Sequence, residues 1–208
     1  MKPTFRNAVP ALFAGAMIVS SLPSAEAGTF RRVATWPVFE NLPTGANPDT
    51  ETVAEIVSVT KDGRTVVYTD SEFEALGFVD ISVASTPRAA GITKLSGEPT
   101  AVSVAPGFAL VGVNTSESFT KPSGHVAVVD LAQKVVRNRC DVGGQPDSLA
   151  LSPDGKYLAV VVENERDEEL NDGLIPQAPA GHLAILDLAA DGTPLNCGAA
   201  RIADLTGL

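Results

Sequence analysis

Aromatic side chains are scarce in this chain: they make up 5% of its 208 residues, with one Trp and two Tyr. Cys, His and Met occur twice each. Two cysteines cannot staple a disulfide-dense scaffold, and two histidines exclude a His-rich zinc site. Charge is thin and one-sided. Charged residues are 19% of the chain, and 15 Lys and Arg face 25 Asp and Glu, for a net charge of −10. Nucleic acid and anionic membranes both require a basic face, so neither is an expected partner. The chain has no GxSxG elbow, Walker loop, GxGxxG, HExxH or DxDxDG spacing. No apolar run reaches the ~20 residues that span a bilayer. An apolar fraction of 44% still supports a folded core.

The first 27 residues read as a secretory signal. Lys2 and Arg6 give a positive start, and Ala8 to Ser20 (AVPALFAGAMIVS) is a short apolar stretch. Pro23 breaks it, and Ala25 and Ala27 place small residues before a cleavage at Gly28. The expected location is secreted or periplasmic, without membrane insertion once the signal is removed.

An internal repeat organises the rest. Ala54 to Glu72 (AEIVSVTKDGRTVVYTDSE), Pro99 to Glu117 (PTAVSVAPGFALVGVNTSE) and Pro146 to Glu165 (PDSLALSPDGKYLAVVVENE) align, with starts 45 and 47 residues apart. Each holds an alternating strand, a tight turn at Asp-Gly or Pro-Gly, and a Val-rich strand. A third strand follows: Gly77 to Ser82 (GFVDIS), Gly124 to Leu131 (GHVAVVDL) and Gly181 to Leu188 (GHLAILDL). Helical periodicity is nearly absent beyond the leader. A period near 45 with short strands predicts an all-β propeller, each four-stranded blade burying its two faces on its neighbours. The expected blades are 54–96, 97–143 and 144–208, with 28–53 as a candidate closing strand. Closed rings take ~4 to 8 blades, so three predict either the N-terminal part of a larger propeller or closure by self-association.

Leu151 to Val160 (LSPDGKYLAV) resembles the blade signature of bacterial YVTN/WD40-like propellers. With Thr69 to Glu72 (TDSE), Val113 to Ser116 (VNTS), Gly143 to Ser148 (GGQPDS) and Glu163 to Gly173 (ENERDEELNDG), the pattern is similar to secreted propellers of the phytase-like esterase or alkaline-phosphatase-like kind. That resemblance implies phosphoesterase or lactonase chemistry, by fold-level analogy alone.

The second strands of the repeats end in Ser71-Glu72, Ser116-Glu117 and Asn164-Glu165. Equivalent loops open on one face, so Glu72, Glu117 and Glu165, with Asp70, Glu74, Glu163 and Asp167 nearby, form a candidate Ca²⁺ rim. The alternative is a solvated acidic surface. The segment Glu163 to Ala180 is an insertion with six acids and one Arg, suited to a lid, a metal loop or a plain surface loop. Arg166 would pair with a neighbouring acid more readily than with a phosphate. His125 and His182 follow Gly at the same repeat position and read as structural. Cys140 and Cys197 each lie ten residues after a repeat Asp (Asp130, Asp187), so they are expected on diverging outer strands, not bonded to each other. Two functions follow. One is a secreted binding or scaffold propeller with an unidentified ligand or protein partner and no catalytic residues assigned. The other is a calcium-dependent, phytase-like phosphoesterase, with a lactonase-like hydrolase as a third option. No organic cofactor is expected.

Overall fold

The computed structural model describes residues 30–204. The secretory signal expected over residues 1–27 lies outside the described residues. The chain divides into a unit ending at Arg31 and a unit from Arg32 onward, and the second holds every strand described.

Among the described residues, twelve strands form three four-stranded antiparallel sheets, each a simple meander. Blade 1 holds β1 (Ala54–Val59), β2 (Thr65–Asp70), β3 (Ala75–Asp80) and β4 (Arg88–Lys94). Blade 2 holds β5 (Glu98–Ala105), β6 (Phe108–Asn114), β7 (Gly124–Asp130) and β8 (Val135–Asp141). Blade 3 holds β9 (Pro146–Leu151), β10 (Tyr157–Val162), β11 (His182–Asp187) and β12 (Arg201–Asp204). The fold is all-β and propeller-like, and the three blades do not close a ring within this chain.

Turn chemistry explains where the strands reverse. In blade 1 the Thr60 hydroxyl donates to Asp62 (2.7 Å), and the Gly63 N–H donates to the Thr60 carbonyl (2.8 Å). Blade 3 repeats the device: the Ser152 hydroxyl donates to Asp154 (2.7 Å), and Gly155 N–H to the Ser152 carbonyl (2.9 Å). Gly63 (φ +69°) and Gly155 (φ +70°) sit in the left-handed region that glycine enters without cost. These hydrogen bonds hold the Asp62 and Asp154 carboxyls below their ordinary range.

Register, not loop spelling, defines which residues are equivalent. Asp80, Asp130 and Asp187 end the third strands and pair with Thr65, Phe108 and Tyr157. Counting from those pairs, Tyr68, Val111 and Val160 are level, and so are Val67, Leu110 and Ala159. Alternate residues then face opposite ways. Val67, Leu76 and Phe78 of blade 1 meet Ala109, Val111, Val113, Ala127 and Val129 of blade 2 in one core. Leu110, Val126 and Val128 of blade 2 meet Leu158, Val160, Val162, Ala184 and Leu186 of blade 3 in a second. The cores therefore lie between blades, where each residue type is dictated by a neighbouring repeat. The inner strands carry the contact, β1 on β5 and β5 on β9.

Two sequence expectations are revised here. Gly77 is level with Ala127 and Ala184, not with Gly124 and Gly181, because blade 1 has a shorter β2–β3 loop. The cysteines are also bonded: Cys140 and Cys197 form a disulfide with Cα atoms 4.3 Å apart. Their equal spacing from Asp130 and Asp187 is misleading. After Asp130 a short turn leads into β8, so Cys140 lies on a strand. After Asp187 the chain runs through 188–200 before β12 begins. Cys197 lies in that longer loop, which folds back onto β8 of blade 2.

Candidate functional site

The loops after the second strands (71–74, 115–123 and 163–181) leave the blades at one end, together with the linkers 95–97 and 142–145 between blades. All seven predicted carboxylates are at this end, but in different settings; Glu74 is exposed in the blade 1 turn with φ +43°. Glu72 is exposed in the blade 1 turn. Glu117 is exposed and paired with Lys121 (3.0 Å). Asp70 is completely buried: its Oδ1 accepts from the Val53 and Phe73 N–H groups (3.0 Å each), and its Oδ2 has no partner. Glu163, Glu165 and Asp167 line a cleft of about 750 Å³ with Phe119, Arg166, Glu168 and Glu169. Glu72, Glu117 and Asp70 are not among its lining residues. Among the described residues, no group of three or more His, Cys, Asp or Glu is placed to hold a metal ion.

The cleft is a product of the insertion. Asn164 enters it with φ +53° and ties the start of the loop to the preceding linker and to its exit: its Oδ1 accepts from the Gln145 N–H (3.2 Å) and its Nδ2 donates to the Ala180 carbonyl (2.9 Å). Gln177 ties the middle. Its Nε2 donates to the carbonyls of Asp167 (2.9 Å), Leu170 and Leu174 (3.3 Å each), and its Oε1 accepts from the Asp167 N–H (2.7 Å). Arg166 stays exposed while donating to the Gly173 carbonyl (3.0 Å) and pairing with Glu168 (3.1 Å). The acid-pairing expectation for Arg166 thus matches its geometry. Partial desolvation pushes the Glu163 carboxyl up, and the negative charges of Asp147 and Glu165 add to it. Gln177 carries no sequence signal. A glutamine in a Pro-rich stretch becomes a hub only once the loop closes around it.

The histidines hold the linkers between blades. His182 Nε2 is 2.8 Å from the Val142 carbonyl, and His125 Nε2 is 3.4 Å from the Ser96 hydroxyl. Each ring thus reaches the linker that leads into the first strand of its own blade. Burial holds the His125 ring below its ordinary pKa, with the Arg139 charge a second cause and Asp141 opposing.

The model of the choice-of-anchor I domain family matches residues 55–205, most of the three blades. The chain belongs to the choice-of-anchor I domain family. Domains of this kind are typically extracellular or surface-anchored, and no described helix is long and apolar enough to cross a membrane. No curated protein matches the chain. Among solved structures it is similar to hydrazine synthase from Kuenenia stuttgartiensis, at 17% identity and TM-score 0.49 over 72% of this chain and 37% of that one. It is also similar to a protein of unknown function from Desulfotomaculum acetoxidans, at 12% identity and TM-score 0.44 over 75% and 56%. A luciferin-regenerating enzyme matches at 18% identity and TM-score 0.46 over 63% and 43%. This choice-of-anchor I chain therefore spans less than two thirds of the length of each of these structures.

Proposed function

We propose that this choice-of-anchor I chain is a secreted or periplasmic scaffold and binding domain, with its ligand surface on the loop rim around the 163–181 insertion. One observation carries the reading. The insertion is tied into a defined cleft by Asn164, Arg166 and Gln177, while its acids stay exposed at the rim. Loops set on a packed scaffold are where binding residues concentrate. The test is to treat intact cells with protease and assay the purified chain for phosphoester and lactone hydrolysis. The scaffold reading expects the protein to be accessible from outside the cytoplasm and to give no turnover of either ester. A chain confined to the cytoplasm would sink it.

The second reading is a calcium-dependent, phytase-like phosphoesterase. Its support is that Glu163, Glu165 and Asp167 line one cleft; they are not grouped as metal ligands in this structure, so Ca²⁺ would have to draw them together. Bound Ca²⁺ would neutralise substrate phosphate and activate water. This reading expects hydrolysis that EDTA abolishes, and that Glu165→Gln and Asp167→Asn each reduce without unfolding the chain. Unchanged turnover in both variants would overturn it.

A further inference from the structure

The 163–181 insertion is built inside out. Its least exposed side chains include Asn164, Asp167 and Gln177, all polar, packed around the buried Gly173. Its large apolar side chains stay in solvent: Leu170 is 42% exposed, Leu174 68% and Ile175 74%. Hydrogen bonds explain how this arrangement holds. Gln177 donates to the Asp167, Leu170 and Leu174 carbonyls (2.9, 3.3 and 3.3 Å), and Arg166 donates to the Gly173 carbonyl (3.0 Å). Leu170 and Leu174 are thus held by their backbones to one amide, on a small tip that Ile175 completes. A single exposed apolar residue calls for no explanation. Three on one tip, over a polar interior, do nothing for the folding of the loop and mark a contact surface. Phe119, 49% exposed on the blade 2 loop, lines the adjoining cleft and adds a further apolar element.

Charge around the tip has one sign. Glu165, Glu168, Glu169 and Asp172 are exposed, and the one Arg of the insertion is already paired with Glu168 (3.1 Å). Among the described residues, Glu169 and Asp172 have no ion pair. An occupant of this surface must therefore bring apolar contact and positive charge together. A purely apolar partner would strip water from the carboxylates and return nothing for it. A lipid surface meets the same objection: an anionic one repels the tip, and a neutral one leaves its carboxylates unpaired.

We infer that the tip of the insertion docks a segment of a partner protein in which Lys or Arg alternates with large apolar side chains. The inference rests on the binding-domain reading above and adds the chemistry of the partner. Leu170, Leu174 and Ile175 receive the partner's apolar side chains, and its cationic groups meet Glu169 and Asp172. The hydrogen bonds of Gln177 hold the tip in place before the partner arrives, so little ordering is left to oppose binding.

The test uses the full chain as bait for a phage-displayed library of random short peptides. Selected peptides should combine Lys or Arg with Leu, Ile or Phe. The strongest of them, synthesised and labelled, should lose affinity about tenfold or more on Leu174→Ser/Ile175→Ser, and likewise on Glu169→Gln/Asp172→Asn. All four side chains are exposed, so circular dichroism of both double variants should match the unsubstituted protein. The same peptide with Glu in place of its cations should not bind. Selection that returns no basic, apolar peptides overturns the inference, and so does undiminished affinity in either double variant. Vesicles of phosphatidylcholine, with or without phosphatidylserine, overturn it in favour of a lipid contact if they bind the chain and lose it on Leu174→Ser/Ile175→Ser. Hydrogen exchange on the peptide-bound chain separates this inference from the reading beneath it. Protection of the rim by peptides of another composition removes the inference and leaves the binding domain. Protection away from the rim removes both.

Discussion

Asp70 occupies a level that the other two blades fill with Val113 and Val162. All three are buried, so blade 1 places a carboxylate where its repeats place a branched hydrocarbon. The carboxylate is retained by work that Val cannot do, accepting the Val53 and Phe73 N–H groups and so fixing both the entry to β1 and the β2–β3 turn. Asp70→Ala leaves two N–H donors unpaired. It should cost about 1–3 kcal/mol in chemical denaturation, whereas Asp70→Asn keeps an acceptor oxygen and should cost less. A loss no greater for Ala than for Asn would remove this account. His125 makes a pH prediction. Its folded pKa is lowered by burial, so the unfolded chain takes up the proton more readily. Its contribution to stability is complete above the unfolded pKa near 6.5 and is lost as pH falls through the lower folded value. Denaturation midpoints should therefore drop on acidification below about pH 6.5, and His125→Gln should flatten that part of the profile. In the sequence Asp70 looks like a rim ligand because Ser71 and Glu72 follow it. Only strand pairing moves it from the rim into the wall of the blade.

At the level of elements, the longer connections of blade 3 decide most of what is distinctive. The 163–181 loop hangs on Gln177, whose amide makes four hydrogen bonds within it. Gln177→Ala should leave the thermal transition within a few degrees of the original and speed proteolytic cutting between 164 and 180. A change in melting without faster cutting would show that the loop is not a separate unit. The 188–200 loop is joined to β8 by the Cys140–Cys197 bond, which closes a separation of 57 residues. Such closures typically contribute about 2–4 kcal/mol. At about 2–4 °C per kcal/mol for a chain of this size, replacing both cysteines with Ser should lower the melting temperature by roughly 5–15 °C. Non-reducing peptide mapping should recover the two cysteines in one linked fragment. The spacing rule that separated them assumed equal connections after Asp130 and Asp187. The sequence shows both loops but not that the longer one doubles back.

Across the whole molecule, stability resides between the blades. Leu110 is fully buried on the back of blade 2, in the core that it shares with Val160 and Leu186 of blade 3. Leu110→Ala should cost about 2–5 kcal/mol, and because two blades share that core they should unfold in one transition. Separate transitions for blades 2 and 3 would contradict shared cores. The strand–turn–strand repeat, the Asp-Gly turns and the Val-rich alternation were all legible in the residues. They depend on contacts a few positions apart, and a period of two is visible in a linear text. Thus the all-β class and the three blades could be reached from sequence. The partner of Cys140, the burial of Asp70 and the gathering of Glu163, Glu165 and Asp167 into a cleft without Glu72 and Glu117 could not. Each depends on how far a loop travels before it rejoins the sheet and on which blade it then touches. Those distances arise from packing one repeat on the next, and residue spacing along the chain does not encode them.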